Sequence, residues 1–165
     1  MSEEATVQTE LAGKFAFLQD RIRVQRARRI WADVPAEQFA EVFQHAVKGM
    51  NFCILCTITG LDQGEKLAAV YHLARENGTI LNLTTTVPKD KPILQSVTND
   101  FPAANCYERE LIDLLGFEVQ GLPEGPRYPL PDGWPAAQHP LRKDWTPETD
   151  KAYANATAEV KNEQG

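Results

Sequence analysis

Two carboxylates two positions apart, Glu108 and Glu110, and two cysteines three apart, Cys53 and Cys56, are the groupings in this sequence that invite a chemical reading. A general acid and its base must converge on one bond, whereas positions i and i+2 of a helix diverge by about 200°. Glu108 and Glu110 therefore do not form a catalytic pair. On a strand, three residues span about 10 Å and the two cysteines leave from opposite faces, beyond the ~7 Å reach of a disulfide. Cys106 stands alone, so the second pair that a four-cysteine zinc or iron–sulfur site needs is missing. The cysteines are expected to be buried and structural. The serines are Ser2 and Ser96, and the sequence has no glycine-rich phosphate loop, serine elbow or H-E-x-x-H helix. His45 and His72 fall inside regular elements and read as structural. His139 sits instead among Pro140, Leu141, Arg142, Lys143 and Asp144. No catalytic set assembles.

Glu108, Arg109, Glu110 and Asp113 belong to a charged helix that stops at Gly116, with Tyr107, Leu111, Leu114 and Leu115 as its apolar stripe. Arg109 and Asp113 share a face, as do Glu110 and Asp113. That face reads either as a solvated surface or as a docking surface built from charge-assisted hydrogen bonds. Residues 117–147 then show almost no helix or strand pattern. They hold seven of the eleven prolines, from Pro123 to Pro147, with Arg127, Tyr128, Trp134 and Trp145. Long irregular segments in small domains are usually functional. Proline lowers the entropy cost of ordering them, and Trp, Tyr and Arg dominate interface hot spots. The segment is expected either to dock on a partner or to fold back over its own sheet.

The elements that position these residues follow from periodicity. Leu11, Phe15 and Leu18 give an amphipathic helix within residues 3–19, and residues 26–34 read as a strand. Phe39, Val42, Phe43, Ala46 and Val47 mark a helix opened by Pro35 and stopped by Gly49. Residues 51–59, apolar on both faces, read as an interior strand. Asn77-Gly78 signals a type I′ hairpin between strands at 66–75 and 80–87, and a short helix is expected near 93–97. The sum is an α+β domain: a mostly antiparallel four-stranded sheet with helices packed on one face, followed by a long irregular C-terminal tail. The expected divisions are residues 1–20 for the N-terminal helix, 21–116 for the domain, 117–147 for a proline-rich docking tail and 148–165 for a flexible C-terminus.

Seventeen basic and 23 acidic residues give a net charge of −6, which argues against nucleic acid as a partner. Arg21, Arg23, Arg26, Arg28 and Arg29 cluster locally and read as a solvated strand face or edge, with an RNA or lipid contact as the alternative. With no bilayer-length apolar run and no signal-peptide pattern at Met1, the chain is expected in the cytoplasm without direct membrane insertion.

The run from Tyr107 through Glu108, Arg109, Glu110 and Asp113 to Gly116, followed by His139-Pro140-Leu141-Arg142-Lys143-Asp144, resembles the thirty-kilodalton subunit family of respiratory complex I. In that family an E-R-E-x-x-D helix leads to a tail ending in P-L-R-K-D. The segments around Asp62, Tyr71, Asp90 and Ser96 are similar in order and spacing. Where complex I members usually carry G-H-P-x-L-R-R, this chain has residues 121–135, with Arg127 as the possible basic counterpart. That departure looks more like the related subunits of membrane-bound nickel–iron hydrogenases and formate hydrogenlyases.

The resemblance implies a non-catalytic peripheral-arm subunit that docks on a large catalytic subunit beside an iron–sulfur subunit, at the inner face of the membrane. It binds no cofactor itself, while its complex carries nickel–iron and iron–sulfur centres, or FMN and iron–sulfur centres if it is complex I. It also implies a partner interface made of Glu108, Arg109, Glu110, Asp113, Arg127, Trp134, His139, Pro140, Leu141, Arg142, Lys143, Asp144 and Trp145, in which Glu108, Arg109, Glu110 and Asp113 anchor either the tail or the partner. A stand-alone enzyme using His139, Arg142 and Asp144 around a pocket, or a nucleic-acid binder using the Arg21–Arg29 cluster, are the remote alternatives.

Overall fold

Ser2 starts the fold by capping helix α1 (Glu3–Lys14). Its hydroxyl accepts the Ala5 N–H at 3.3 Å, and Glu3 and Glu4 oppose the positive end of the helix dipole. The computed structural model describes residues 2–146, so the expected flexible C-terminus lies outside the described residues. The helix ends at Lys14, short of residue 19. Phe15 leaves helical geometry, and the tight turn Ala16–Leu18 delivers Leu18 to the core.

Five strands follow: β1 (Ile22–Arg26), β2 (Arg29–Asp33), β3 (Ile54–Asp62), β4 (Lys66–Ala74) and β5 (Ile80–Pro88). They form one sheet in the order β1-β2-β5-β4-β3, antiparallel except where β2 runs parallel to β5. The sheet thus has one strand more than the sequence pattern indicates. The reason is the β1–β2 turn, Ala27-Arg28, where Arg28 takes a left-handed conformation (φ 59°) without the glycine or asparagine that normally announces one. The β4–β5 hairpin is present, but its connection is not the expected type I′ turn, which needs two left-handed residues: Gly78 is left-handed (φ 83°), Asn77 is not, and Asn77 Oδ1 accepts the Thr79 N–H at 3.0 Å.

Strand β3 corrects a second expectation. It lies at the sheet edge, not inside it, and leaves Ile54 44% and Leu61 45% exposed. Cys56 on this strand, Cys53 just before it and Cys106 on helix α3 (Ala104–Leu115) are free and exposed, not buried. One end of β3 is covered by α3, and Gly60 permits that contact, since a Cβ there would meet the Leu111 and Leu115 side chains. The expected helix near 93–97 is instead a strand, β6 (Ile93–Gln95). It pairs in parallel with β7 (Glu118–Gln120), so the tail begins as sheet.

The helices do pack on one face. Leu11, Phe39, Phe43, Leu111 and Leu115 form one core with Ile30, Leu67, Tyr71, Leu81 and Leu83. Helix α2 (Phe39–Gln44), extended by a π turn to Gly49, lays Phe39 on the buried Tyr71 ring at 4.6 Å between centroids. Next to this cluster, Thr85 is 1% exposed on the core face of β5, and its hydroxyl has no partner. Replacing it with the near-isosteric Thr85→Val removes an unsatisfied buried group and is expected to stabilise by about 1 kcal/mol, a rise of about 2–4 °C in thermal midpoint. A lowered midpoint would mean that the hydroxyl is satisfied in solution.

Candidate functional site: a helix end closed by the tail

The last carbonyls of α3 lack intrahelical donors, and Gly116, left-handed at φ 74°, ends the helix. The tail supplies the missing donors in register. His139 Nδ1–H donates to the Asp113 carbonyl at 2.9 Å, and the Leu141 N–H donates to Leu114 at 3.0 Å. Arg142 Nε–H donates to Leu115 at 2.7 Å and its Nη2–H to Gly116 at 3.3 Å. A guanidinium at the negative end of the helix dipole is also electrostatically favourable. Burial and the cations Arg142 and Arg127 press the His139 pKa down, against the raising effect of its bond to Asp113. The carbonyl partner places the proton on Nδ1 of the neutral ring.

The acidic helix takes hold of the rest of the tail. Asp113 is buried, with Oδ1 accepting from Arg127 Nε at 2.9 Å and Oδ2 from the Leu130 N–H at 3.1 Å. Arg127 also donates to the Trp134 carbonyl. Arg109 is braced by Asn105 at 2.9 Å and donates to the carbonyls of Pro123 at 2.6 Å and Gly125 at 3.2 Å. It therefore holds the tail and does not pair with Asp113 along the helix. The Trp134 and Trp145 rings lie 6.1 Å apart, and both indole N–H groups donate to Gln138 at 2.9 Å.

Glu108 differs from the solvated or docking residue that its place in the motif suggests. It is wholly buried, accepting the Ser96 hydroxyl and the Val97 N–H, each at 2.7 Å. Burial raises its pKa, opposed by those two donors. The carboxylate thereby ties the end of β6 to α3. Of the acidic residues in the motif only Glu110 faces outwards. It is half-buried, beside Leu114, Thr57, Thr59 and Leu141, the last 57% exposed.

A second anchor was not assigned from sequence. Asp62 Oδ2 accepts the Lys143 N–H and Lys89 Nζ, both at 2.8 Å, and Lys89 also reaches Asp144 Oδ1 at 2.9 Å. Asp62 Oδ1 caps its own turn through the Gly64 N–H at 2.7 Å. The aspartate-x-glycine turn was the visible signal; its long-range donors were not. Lys89 and the backbone donors hold the Asp62 carboxyl far below its ordinary value. His139, Arg142 and Asp144 do line one open concavity, but each is already bonded to backbone or to Lys89, and no nucleophile joins them.

Two outcomes test this geometry. Asp113→Asn removes the charge that Arg127 needs and is expected to cost about 2–3 kcal/mol in urea unfolding and to speed proteolysis within residues 123–146; wild-type proteolysis would rule out the tether. A depressed carboxylate contributes stability above its unfolded pKa, here near 3.8, and loses it as pH falls towards the folded value. Thermal midpoints should therefore fall below about pH 4, with a shallower fall in Asp62→Asn.

Residues 32–151 match the family described as the respiratory-chain NADH dehydrogenase 30 kDa subunit. The chain is 33% identical over 156 residues to the C subunit of the F420H2 dehydrogenase of Methanosarcina mazei, covering 93% of this chain and 95% of that protein. It is 27% identical over 134 residues to membrane-bound hydrogenase subunit beta of Pyrococcus furiosus, covering 78% and 76%. A chain in the structure of the membrane-bound sulfane sulfur reductase, an archaeal respiratory membrane complex, superposes with a TM-score of 0.79 at 26% identity, covering 96% of this chain and 92% of that one.

Proposed function

The chain belongs to the family of the respiratory-chain NADH dehydrogenase 30 kDa subunit, and from that premise we propose that it is a non-catalytic peripheral subunit of a membrane-bound electron-transfer complex. On this reading it docks on and stabilises the large catalytic subunit at the inner face of the cell membrane, beside an iron–sulfur subunit. The complex is of the energy-converting nickel–iron hydrogenase type, and the redox centres belong to the neighbours. The likeness to a membrane-bound hydrogenase subunit over most of both chains supports that branch. Among the described residues no cluster of His, Cys, Asp or Glu is arranged to hold a metal, and no helix is long and apolar enough to cross a membrane.

The observation that carries the reading is the ridge left over once the tail has closed the helix end. Leu141 is pinned through its backbone to Leu114 yet keeps its side chain 57% exposed, next to Glu110. A leucine held out on a rigid support beside a carboxylate that has no partner among the described residues suits contact with another protein. A second reading, the thirty-kilodalton subunit of an NADH:quinone oxidoreductase, is favoured by the family description itself.

Affinity purification of the tagged chain from native membranes separates the two. A co-purifying nickel-containing large subunit selects the first, and flavoprotein NADH-oxidising subunits select the second. The double change Glu110→Lys and Leu141→Asp is expected to reduce recovery of the large subunit about tenfold, while moving the thermal midpoint of the full chain by no more than about 1 °C. Wild-type recovery would remove the ridge from the interface. Arg142→Ala is a poorer probe, because Arg142 caps the helix.

A further inference from the structure

The β1–β2 hairpin lies away from the tail and carries Arg21, Arg23, Arg26, Arg28 and Arg29 within nine residues of a chain whose net charge is −6. All but the half-buried Arg29 are exposed. Arg26 and Arg29 stand directly opposite each other across the two strands, a like-charge pairing that destabilises a sheet. Between them Arg28 is held at φ 59°. Two acids make a bond or ion pair to the hairpin among the described residues: Glu4, which accepts the Arg28 backbone N–H, and Asp33, which reaches Arg23 only at 4.0 Å with both side chains more than half exposed. The cationic excess is thus left uncompensated within the described residues.

The surroundings specify the shape of what meets it. Ile22, Ile30 and Ala32 point into the core, so Arg23, Arg29 and Trp31 lie on the opposite sheet face, which carries no helix of the described residues. Next to them this face continues through His72, whose Nδ1–H donates to Asn82 Oδ1 at 2.6 Å and whose Nε2 lies within hydrogen-bond distance, 3.0 Å, of the Thr59 hydroxyl. Strand β1 is also the outer strand of the sheet; Gln8 of α1 takes the outward Ile22 carbonyl at 3.4 Å, and the strand beyond it is unpaired among the described residues. The Asp33 N–H bonds to the Arg21 carbonyl, and the alternation of an antiparallel ladder then turns the backbone groups of Val24 outwards. Val24 itself is 43% exposed. A lipid headgroup has no use for a strand edge. An RNA base has no free ring to stack on, because Trp31 lies under the Arg23 guanidinium and its indole N–H is bonded to Gln25.

We propose that the β1–β2 hairpin, with its exposed arginines and the strand edge at Val24, is a docking surface for an acidic, extended segment of a neighbouring protein. Backbone pairing at the edge and carboxylates between Arg26 and Arg29 would relieve the like-charge pair on binding. The inference rests on the peripheral-subunit reading above and adds to it a second interface, remote from the Leu141 ridge.

A photo-crosslinking residue at Ala27, on the hairpin tip, is introduced into the full chain and activated in the complex purified from membranes. The expected product joins Ala27 to an acid-rich stretch of a co-purifying subunit. Arg26→Glu is expected to lower recovery of that subunit about fivefold at physiological salt, Arg26→Gln to fall between, and the melting point of the full Arg26→Glu chain to rise by about 1–3 °C. That opposition separates an interface from a folding role. Crosslinks confined to lipid or to nucleic acid, wild-type recovery of Arg26→Glu, or a lowered melting point would each overturn the proposal. If the complex assembles through the Leu141 ridge regardless, only this inference fails; if no other protein co-purifies at all, both fail.

Discussion

The unsatisfied carbonyls at the end of α3 are the constraint around which the second half of the chain is organised. A helix that ends inside a protein must have its last carbonyls met by donors. Here residues 113 to 116 are served by His139, the Leu141 backbone and Arg142. Those donors come from a segment more than twenty residues downstream, so the helix can end as it does only if the intervening tail is in place. Proline at position 140 suits the arrangement, because it fixes the backbone between a side-chain donor and a main-chain donor and has no N–H of its own to satisfy.

The acidic motif and the basic motif are therefore two halves of one intramolecular joint. Asp113 holds Arg127 and Leu130, Arg109 holds the carbonyls of Pro123 and Gly125, and Glu108 reaches the other way to fix β6, which pairs with β7 at the start of the same tail. Asp62 then fastens the far end through Lys143 and Lys89. Removing one partner from such a buried network leaves the other charged and desolvated, which costs more than the pair contributes when intact. The charges that look like docking groups in the sequence are mostly consumed in making the support on which a few exposed side chains stand.

The helix from Ala104 to Leu115, the Gly116 stop, the β4–β5 hairpin and the one-sided packing of helices were legible, because each rests on a local pattern: period, cap or turn residue. What was not legible depended on distant partners. Glu108 reads as a surface residue by type, and only the Ser96 hydroxyl and Val97 N–H make its burial tolerable. Residues 93–95 have a pattern too short to separate strand from helix, and the parallel partner that decides it lies beyond α3. The apolar pattern of β3 suggests an interior strand, but β3 is the outer strand of the sheet, and Cys56 on it is exposed. The fifth strand was hidden by Arg28, a left-handed residue of the wrong type to announce a turn.

The placement of the tail has a consequence for assembly. Ordering a flexible segment costs about 1–2 kcal/mol per residue in backbone entropy, and a tail of this length that ordered only on its partner would offset most of what a modest interface gains. Here that cost is met during folding by the helix cap, the Asp113–Arg127 pair and the Asp62–Lys89–Asp144 anchor. On the proposed reading a partner would meet a ridge already in shape, in which Leu141 is held by its backbone and exposed at its side chain. Changes to the tether and changes to the ridge act on different steps: the first on whether the ridge exists, the second on what it binds. The two motifs are conspicuous in the sequence because they build the support, whereas the residues proposed to meet a neighbour are the few that the support leaves exposed.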